Sequence, residues 1–282
     1  MDSSKMIHFA QVVGTAYDVP PDQLTNSAGK MITVSLGAAS VTYTVITTVY
    51  ANDLATDMHP ERGKKRVSIG LVLQDAATGD AVIAIRGTEG ILEWVQDASF
   101  LPVPCPFLAA AGLTEDGFTA MYQSFAIEAT TGAPSLANSL VVLPWKVPVR
   151  SITICGHSLG GALVTLLALD VAANTTFKDP AVYSYASPRT GDSTFVSVYN
   201  HLVQRTCRVA NRMDIVPKVP LPPLYDHVAG LIDLNPVTWS PLPKVLVKPD
   251  ILCEHILSTY LFLLTRQAGG VVLPLEAKCV PV

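Results

Sequence analysis

The chain reads as an α/β fold with a mostly parallel central sheet flanked by helices, and three observations predict it. Apolar residues fill 49% of the 282 positions and charged residues only 15%, a balance suited to strands buried on both faces. Strand-like apolar runs alternate along the chain with helical patterns, as in βαβ units. The third is local: Ser151-Ile152-Thr153-Ile154-Cys155 runs directly into Gly156-His157-Ser158-Leu159-Gly160 and then into the helical pattern Gly161–Leu169. A strand-to-helix turn that sharp needs glycine at its flanks and presents its central serine above the sheet.

In chain order, Met6–Tyr17 has helical spacing and stops at Pro20-Pro21, and Val41–Tyr50 alternates Val, Tyr, Thr and Ile as a strand does. Val67–Leu73 and Ala81–Arg86 are apolar runs joined by a hairpin signal over residues 75–80, and this antiparallel pair is expected at an edge of the sheet. Gly117–Ala129 is expected as a helix and Val149–Cys155 as the central buried strand. Beyond the elbow helix follow a strand over Ala181–Ala186, a helix over Thr194–Gln204 and strands over Thr206–Ala210 and Val228–Leu234. The last helix spans Ile256–Leu264, with His255 opening it. No linker, charge block or repeat divides the chain, so residues 1–282 are expected to form one domain.

The same composition excludes several function classes. Net charge is −4 with no dense Lys/Arg cluster, which argues against nucleic acid. No run reaches the roughly 18 apolar residues of a membrane span. The first residues, Met1–Lys5, lack the charged-then-apolar layout of a signal peptide. The five cysteines, at 105, 155, 207, 253 and 279, show no metal-ligand spacing, and no metal or organic cofactor is expected. Cys155 and Cys207 sit in strand-like runs as small buried residues. A disulfide between Cys253 and Cys279 is compatible with the sequence but not specified by it.

A serine hydroxyl attacks only when a base takes its proton, and the base needs an acid to hold its tautomer. With Ser158 at the elbow, the expected chain order is Ser, acid, His. That order leaves His227 and His255. His255 is favoured, because one further strand returns its loop beside the acid, whereas His227 sits next to Asp226 as a rim histidine. The acid candidate is Asp214, just past the carboxyl end of the strand Thr206–Ala210. An oxyanion needs donors, and these are expected from the backbone N–H of Leu159 and from Thr88, which follows Ala84-Ile85-Arg86-Gly87.

These blocks together resemble the class 3 (fungal-type) lipase family. The resemblance is carried by Arg86-Gly87-Thr88, Gly90–Asp97, Asp116-Gly117-Phe118, Gly156–Leu163, Tyr185–Gly191, Asn211–Pro217 and Glu254–Leu257, in the family's order and rough spacing. It implies the α/β-hydrolase fold, Ser158, Asp214 and His255 as catalytic residues, and Thr88 with Leu159 as oxyanion hole. It also implies a lid at about residues 89–100, in which Ile91, Trp94 and Val95 fall on one helical face and Leu92 is a further candidate contact. The expected activity is hydrolysis of carboxylic esters, foremost acylglycerols, by a monomer at a lipid–water interface. Feruloyl or short-chain esterases and A1-type phospholipases share the scaffold, and a non-catalytic lipid-binding relative is the reading from another class. The resemblance suggests secretion. Ala186-Ser187-Pro188-Arg189 departs from the family's usual Gly-Gln-Pro-Arg, and the proline-punctuated segment 231–253 has no counterpart among these motifs.

Overall fold

In the computed structural model, residues 2–22, 24–53, 65–88, 100–127, 135–236 and 250–279 are described. The lid candidates Ile91, Leu92, Trp94 and Val95 lie outside them. Helix α1 (Ser3–Tyr17) starts at Asp2, whose carboxylate accepts the Ser4 N–H at 2.9 Å and so satisfies one orphan donor of the first turn. It is followed by β1 (Met31–Leu36), β2 (Ala39–Asn52), β3 (Arg66–Asp75) and β4 (Asp80–Ile85), all joined antiparallel.

The connection onward carries a two-stranded ribbon of β5 (Pro102–Pro104) and β6 (Leu113–Glu115), then helices α2 (Asp116–Gln123) and α3 (Leu136–Val142). Strands β7 (Ser151–His157), β8 (Ala181–Tyr185), β9 (Arg205–Asn211) and β10 (Leu231–Leu234) then add in parallel to β4. Helix α4 (Leu159–Asn174) links β7 to β8, and α5 (Ser193–Leu202) links β8 to β9. The chain returns through α6 (Ile251–His255) and α7 (Leu257–Gln267). Among the described residues the sheet runs β1-β2-β3-β4-β7-β8-β9-β10.

The sheet is covered on both faces, as its apolar parallel strands require. One face packs against α2, α3, α4 and α5, with Phe118, Leu140, Leu163, Leu166 and Phe195 in its core. The other packs against α1 and α7 through Val12, Val13, Tyr260 and Leu263. Helix α4 is buried almost all round, and burying each of its leucines stabilises by about 2 kcal/mol. None of the described helices is long and apolar enough to cross a membrane.

Four expectations need correction. The hairpin β3–β4 is not at an edge, because β4 pairs with β7 and the strands β1 and β2 extend the sheet beyond β3. The helix expected over Gly117–Ala129 stops at Gln123, since the next segment turns and Ala126 pairs with Tyr50 of β2. Strand β10 begins only at Leu231, because Gly230 takes φ +87° to bring its carbonyl to the Arg208 N–H. His255 closes the short helix α6 rather than opening the last one, because Ile256 is extended, at φ −60° and ψ 149°, and separates α6 from α7.

Candidate active site

Strand register brings the candidate residues to one end of the sheet. Ile85 lies opposite Gly156, His157 opposite Tyr185, and Tyr185 opposite Val209, so the segments after β4, β7 and β9 leave the sheet at the same end. Arg86–Thr88, Ser158 and Asp214 therefore share the carboxyl edge, where open α/β sheets place their ligands.

The elbow itself is strained. Ser158 has φ 61° and ψ −130°, a conformation sparsely populated by residues with a side chain. It holds because the surroundings over-determine it: the Ser158 N–H donates to Tyr185 O and its carbonyl accepts from Gly161 N–H, both at 2.8 Å. A Cβ on Gly160 would fall 2.5 Å from Ile85 O and 2.6 Å from Arg86 O, so only glycine lets α4 approach β4 this closely.

Asp250 starts α6 by accepting the Leu252 and Cys253 N–H groups, and α6 ends on His255. Its Nε2 is 2.7 Å from Ser158 Oγ and its Nδ1 is 2.8 Å from Asp214 Oδ2. A carboxylate only accepts, so Nδ1–H donates to Asp214 and Nε2 is left to accept the serine O–H. All three side chains are buried, with Ser158 1% exposed, His255 3% and Asp214 0%. The aspartate is held on both oxygens, because Oδ1 accepts from Val216 N–H at 2.9 Å and Oδ2 also accepts from Tyr260 Oη at 2.8 Å. Burial beside that carboxylate raises the Tyr260 phenol well above its ordinary value, so it stays a donor.

The arrangement can move the Ser158 proton onto an imidazole whose orientation Asp214 fixes. Leu159 opens α4, where the first N–H groups have no helical partner and the helix dipole favours negative charge. Thr88, half-buried, follows Gly87, and a Cβ on Gly87 would fall 2.8 Å from Ser158 Cβ. That loop therefore passes directly beside the nucleophile. The buried Arg86 guanidinium clamps the loop by donating to Ser68 O and to Gly87 O. No cluster of His, Cys, Asp or Glu suited to a metal ion occurs among the described residues.

Against this geometry, the family model described as Lipase (class 3) matches residues 82–223, half of the chain and the whole span from the loop donor to the segment beyond Asp214. The chain belongs to the class 3 lipase family. This member is 35% identical over 217 residues to phospholipase A1-II 7 of Oryza sativa subsp. indica, a match covering 68% of the chain and 52% of that relative. It is 26% identical over 223 residues to secreted mono- and diacylglycerol lipase A of Penicillium camembertii, covering 79% and 63%. The chain thus spans between about half and two thirds of the length of these relatives. Among solved structures, a mutant form of MDLA from Penicillium cyclopium superposes with TM-score 0.60 at 22% identity, covering 82% of this chain and 79% of that one. The fold is that of the α/β-hydrolases.

Several residues around the site were not anticipated from sequence. Tyr260 follows His255 across the break at Ile256, in the first turn of α7. Asn211 donates its side-chain amide to Glu254 O at 2.9 Å and its N–H to Tyr260 Oη at 3.1 Å, which ties β9 to α6 and α7. Tyr17 and His157 are held within 2.7 Å of one another and lie 140 positions apart in the chain. The remaining histidine candidate, His227, faces Pro217 O at 2.7 Å, and burial beside Arg208 pushes its pKa down to about 3. Cys253 and Cys279 form a disulfide, while Cys105, Cys155 and Cys207 are buried outside it.

Proposed function

We propose that the chain is a serine hydrolase of lipid carboxylic esters, working through an acyl-enzyme on Ser158. The observation that carries this reading is the hydrogen-bonded line Ser158 Oγ–His255 Nε2, His255 Nδ1–Asp214 Oδ2, at 2.7 and 2.8 Å, with the serine in its strained elbow. His255 accepts the serine proton as Oγ attacks the ester carbonyl, and Asp214 stabilises the imidazolium that forms. The negative charge that builds on the carbonyl oxygen is received by the Leu159 N–H and by Thr88. His255 then protonates the departing alcohol, and a water activated by the same imidazole releases the acid.

Within this class, acylglycerols are the favoured substrates. The feature that supports them is the apolar face Ile91, Trp94, Val95 read in the sequence, which, as a cover over the site, would have to move before an acyl chain enters. A1-type phospholipid hydrolysis is the second reading, and the 35% identity to a rice phospholipase A1 favours it.

Turnover of p-nitrophenyl butyrate and palmitate by the native chain and by Ser158→Ala tests the reaction class. The variant is expected to lose about 10⁴-fold or more in kcat, and full activity in it would remove the elbow from the mechanism. Initial rates on tributyrin, triolein, phosphatidylcholine and a feruloyl ester then select the substrate. A jump in rate as ester passes from monomers to emulsion is expected, and smooth saturation through that point would rule out a mobile lid.

A further inference from the structure

The sequence motif leaves the second residue of Gly156-His157-Ser158-Leu159-Gly160 without a role, and the structure gives its ring a partner on each nitrogen. His157 is 3% exposed, and both ring nitrogens are engaged: Nε2 is 2.8 Å from His255 O, and Nδ1 is 2.7 Å from Tyr17 Oη. A carbonyl oxygen only accepts, so Nε2 must carry the proton and donate it. The ring is neutral, because burial beside His255 pushes its pKa down to about 3. Nδ1 is therefore an acceptor, and the Tyr17 O–H must point at it. That leaves a lone pair of Tyr17 Oη to accept the Gly87 N–H, at 2.9 Å.

Every direction in this chain is fixed by its end groups: Gly87 N–H donates to Tyr17 Oη, Tyr17 donates to His157 Nδ1, and His157 Nε2–H donates to the His255 carbonyl. Its four members come from α1, the loop after β4, the elbow and α6. These are the segments that carry the proposed oxyanion donor, nucleophile and base. The Gly87 N–H, being occupied, is not itself an oxyanion donor; its bond instead holds the peptide leading to Thr88.

We propose that Tyr17 and His157 are positioning residues which, through this one-way hydrogen-bond relay, lock the oxyanion loop at Gly87-Thr88 to the nucleophile and the base. The inference rests on the ester-hydrolase reading for its kinetic consequence but not for its structural one. Tyr17 as a whole is 37% exposed, but its hydroxyl lies between the buried Gly87 and the buried His157, so removing it leaves the Gly87 N–H and His157 Nδ1 without their partner. Loss of the Tyr17 hydroxyl frees the loop by fractions of an ångström. Ground-state binding, which depends on the acyl groove, is little affected, whereas stabilisation of the oxyanion falls.

The test is Tyr17→Phe in the full chain, which deletes one oxygen and keeps the ring. On p-nitrophenyl butyrate, kcat is expected to fall about 10- to 100-fold with KM within about twofold, while the thermal midpoint stays within a few degrees. Imidazole ¹⁵N spectra supply a readout independent of activity. In the native chain His157 is expected as the Nε2–H tautomer with a hydrogen-bonded Nδ1, and in Tyr17→Phe the Nδ1 resonance moves to an unbonded position. Unchanged kcat in the variant, a loss confined to KM, or an Nδ1–H tautomer in the native chain would each overturn the relay. An inactive native chain with the expected spectra would sink the hydrolase reading and leave the relay standing.

Discussion

Asp214 has a second buried carboxyl close to it. Glu254, next to His255 in the chain, is 5% exposed, and its Oε1 has no hydrogen-bond partner. Burial, first, and the nearby Asp214 charge, second, push its carboxyl pKa above the usual range. A carboxyl raised in this way costs stability once it ionises, so Glu254→Gln is expected to be more stable than the native chain above the raised value, and the gain disappears as pH falls and the native acid is protonated. Denaturant midpoints at alkaline and at acid pH measure it, and a variant that is less stable than the native chain at alkaline pH contradicts the argument. At this scale the sequence was most readable where function demands a residue type. The order nucleophile, acid, base along the chain singles out Ser158, Asp214 and His255 as candidates, and the fold brings these three within hydrogen-bond distance. Tyr260 and Tyr17 were not found, since a tyrosine that donates one hydrogen bond looks in sequence like any core tyrosine.

Elements show the limit of periodicity. The sequence pattern puts the last helix at Ile256–Leu264 with His255 opening it, yet a short helix already runs from Ile251 to His255 and breaks at Ile256, which packs against the buried Cys253–Cys279 pair. The break turns His255 inward toward Asp214, and Thr259 Oγ1 donates to Cys253 O across it. Gly117–Ala129 likewise reads as helix, but pairing of Ala126 with Tyr50 takes the chain away after Gln123. In both places a tertiary contact outweighs a local preference of a few tenths of a kcal/mol per residue. The elbow behaves in the opposite way, because its glycines are dictated by backbone contact. Gly160→Ala would drive a methyl into the Ile85 and Arg86 carbonyls, and those backbone atoms cannot give way as a side chain can. Loss of at least about 3 kcal/mol of stability, with activity abolished, is the expected result by denaturant unfolding and ester turnover. Native-like stability would mean that α4 can slide off β4.

The whole molecule closes its C-terminal segment with a covalent link. Beyond α7, most residues from 268 to 278 are exposed, and the Cys253–Cys279 disulfide spans 26 positions back to α6. Closing a loop of that size removes entropy from the unfolded chain worth about 3–4 kcal/mol. Cys279→Ser is therefore expected to lower stability in chemical denaturation by a few kcal/mol. Activity at low temperature should be retained, because Asn211, Thr259 and Asp214 still hold α6. A variant that unfolds at the native denaturant midpoint would show that the link closes no costly loop, and one that folds but loses turnover would make the disulfide part of the active geometry.

What the sequence by itself determined was the α/β class, the elbow and the three residues proposed for the chemistry. These rest on short-range demands: a turn too tight for side chains, strands too apolar to lie on a surface, and a fixed order of groups along one sheet edge. The tertiary structure decided which groups surround them. The Ser158–His255 contact joins residues 97 positions apart and the Tyr17–His157 contact residues 140 apart. Such hydrogen bonds have no period and no local signature. They exist only once α1 and α6 have packed against the sheet and buried polar groups must find partners within about 3 Å.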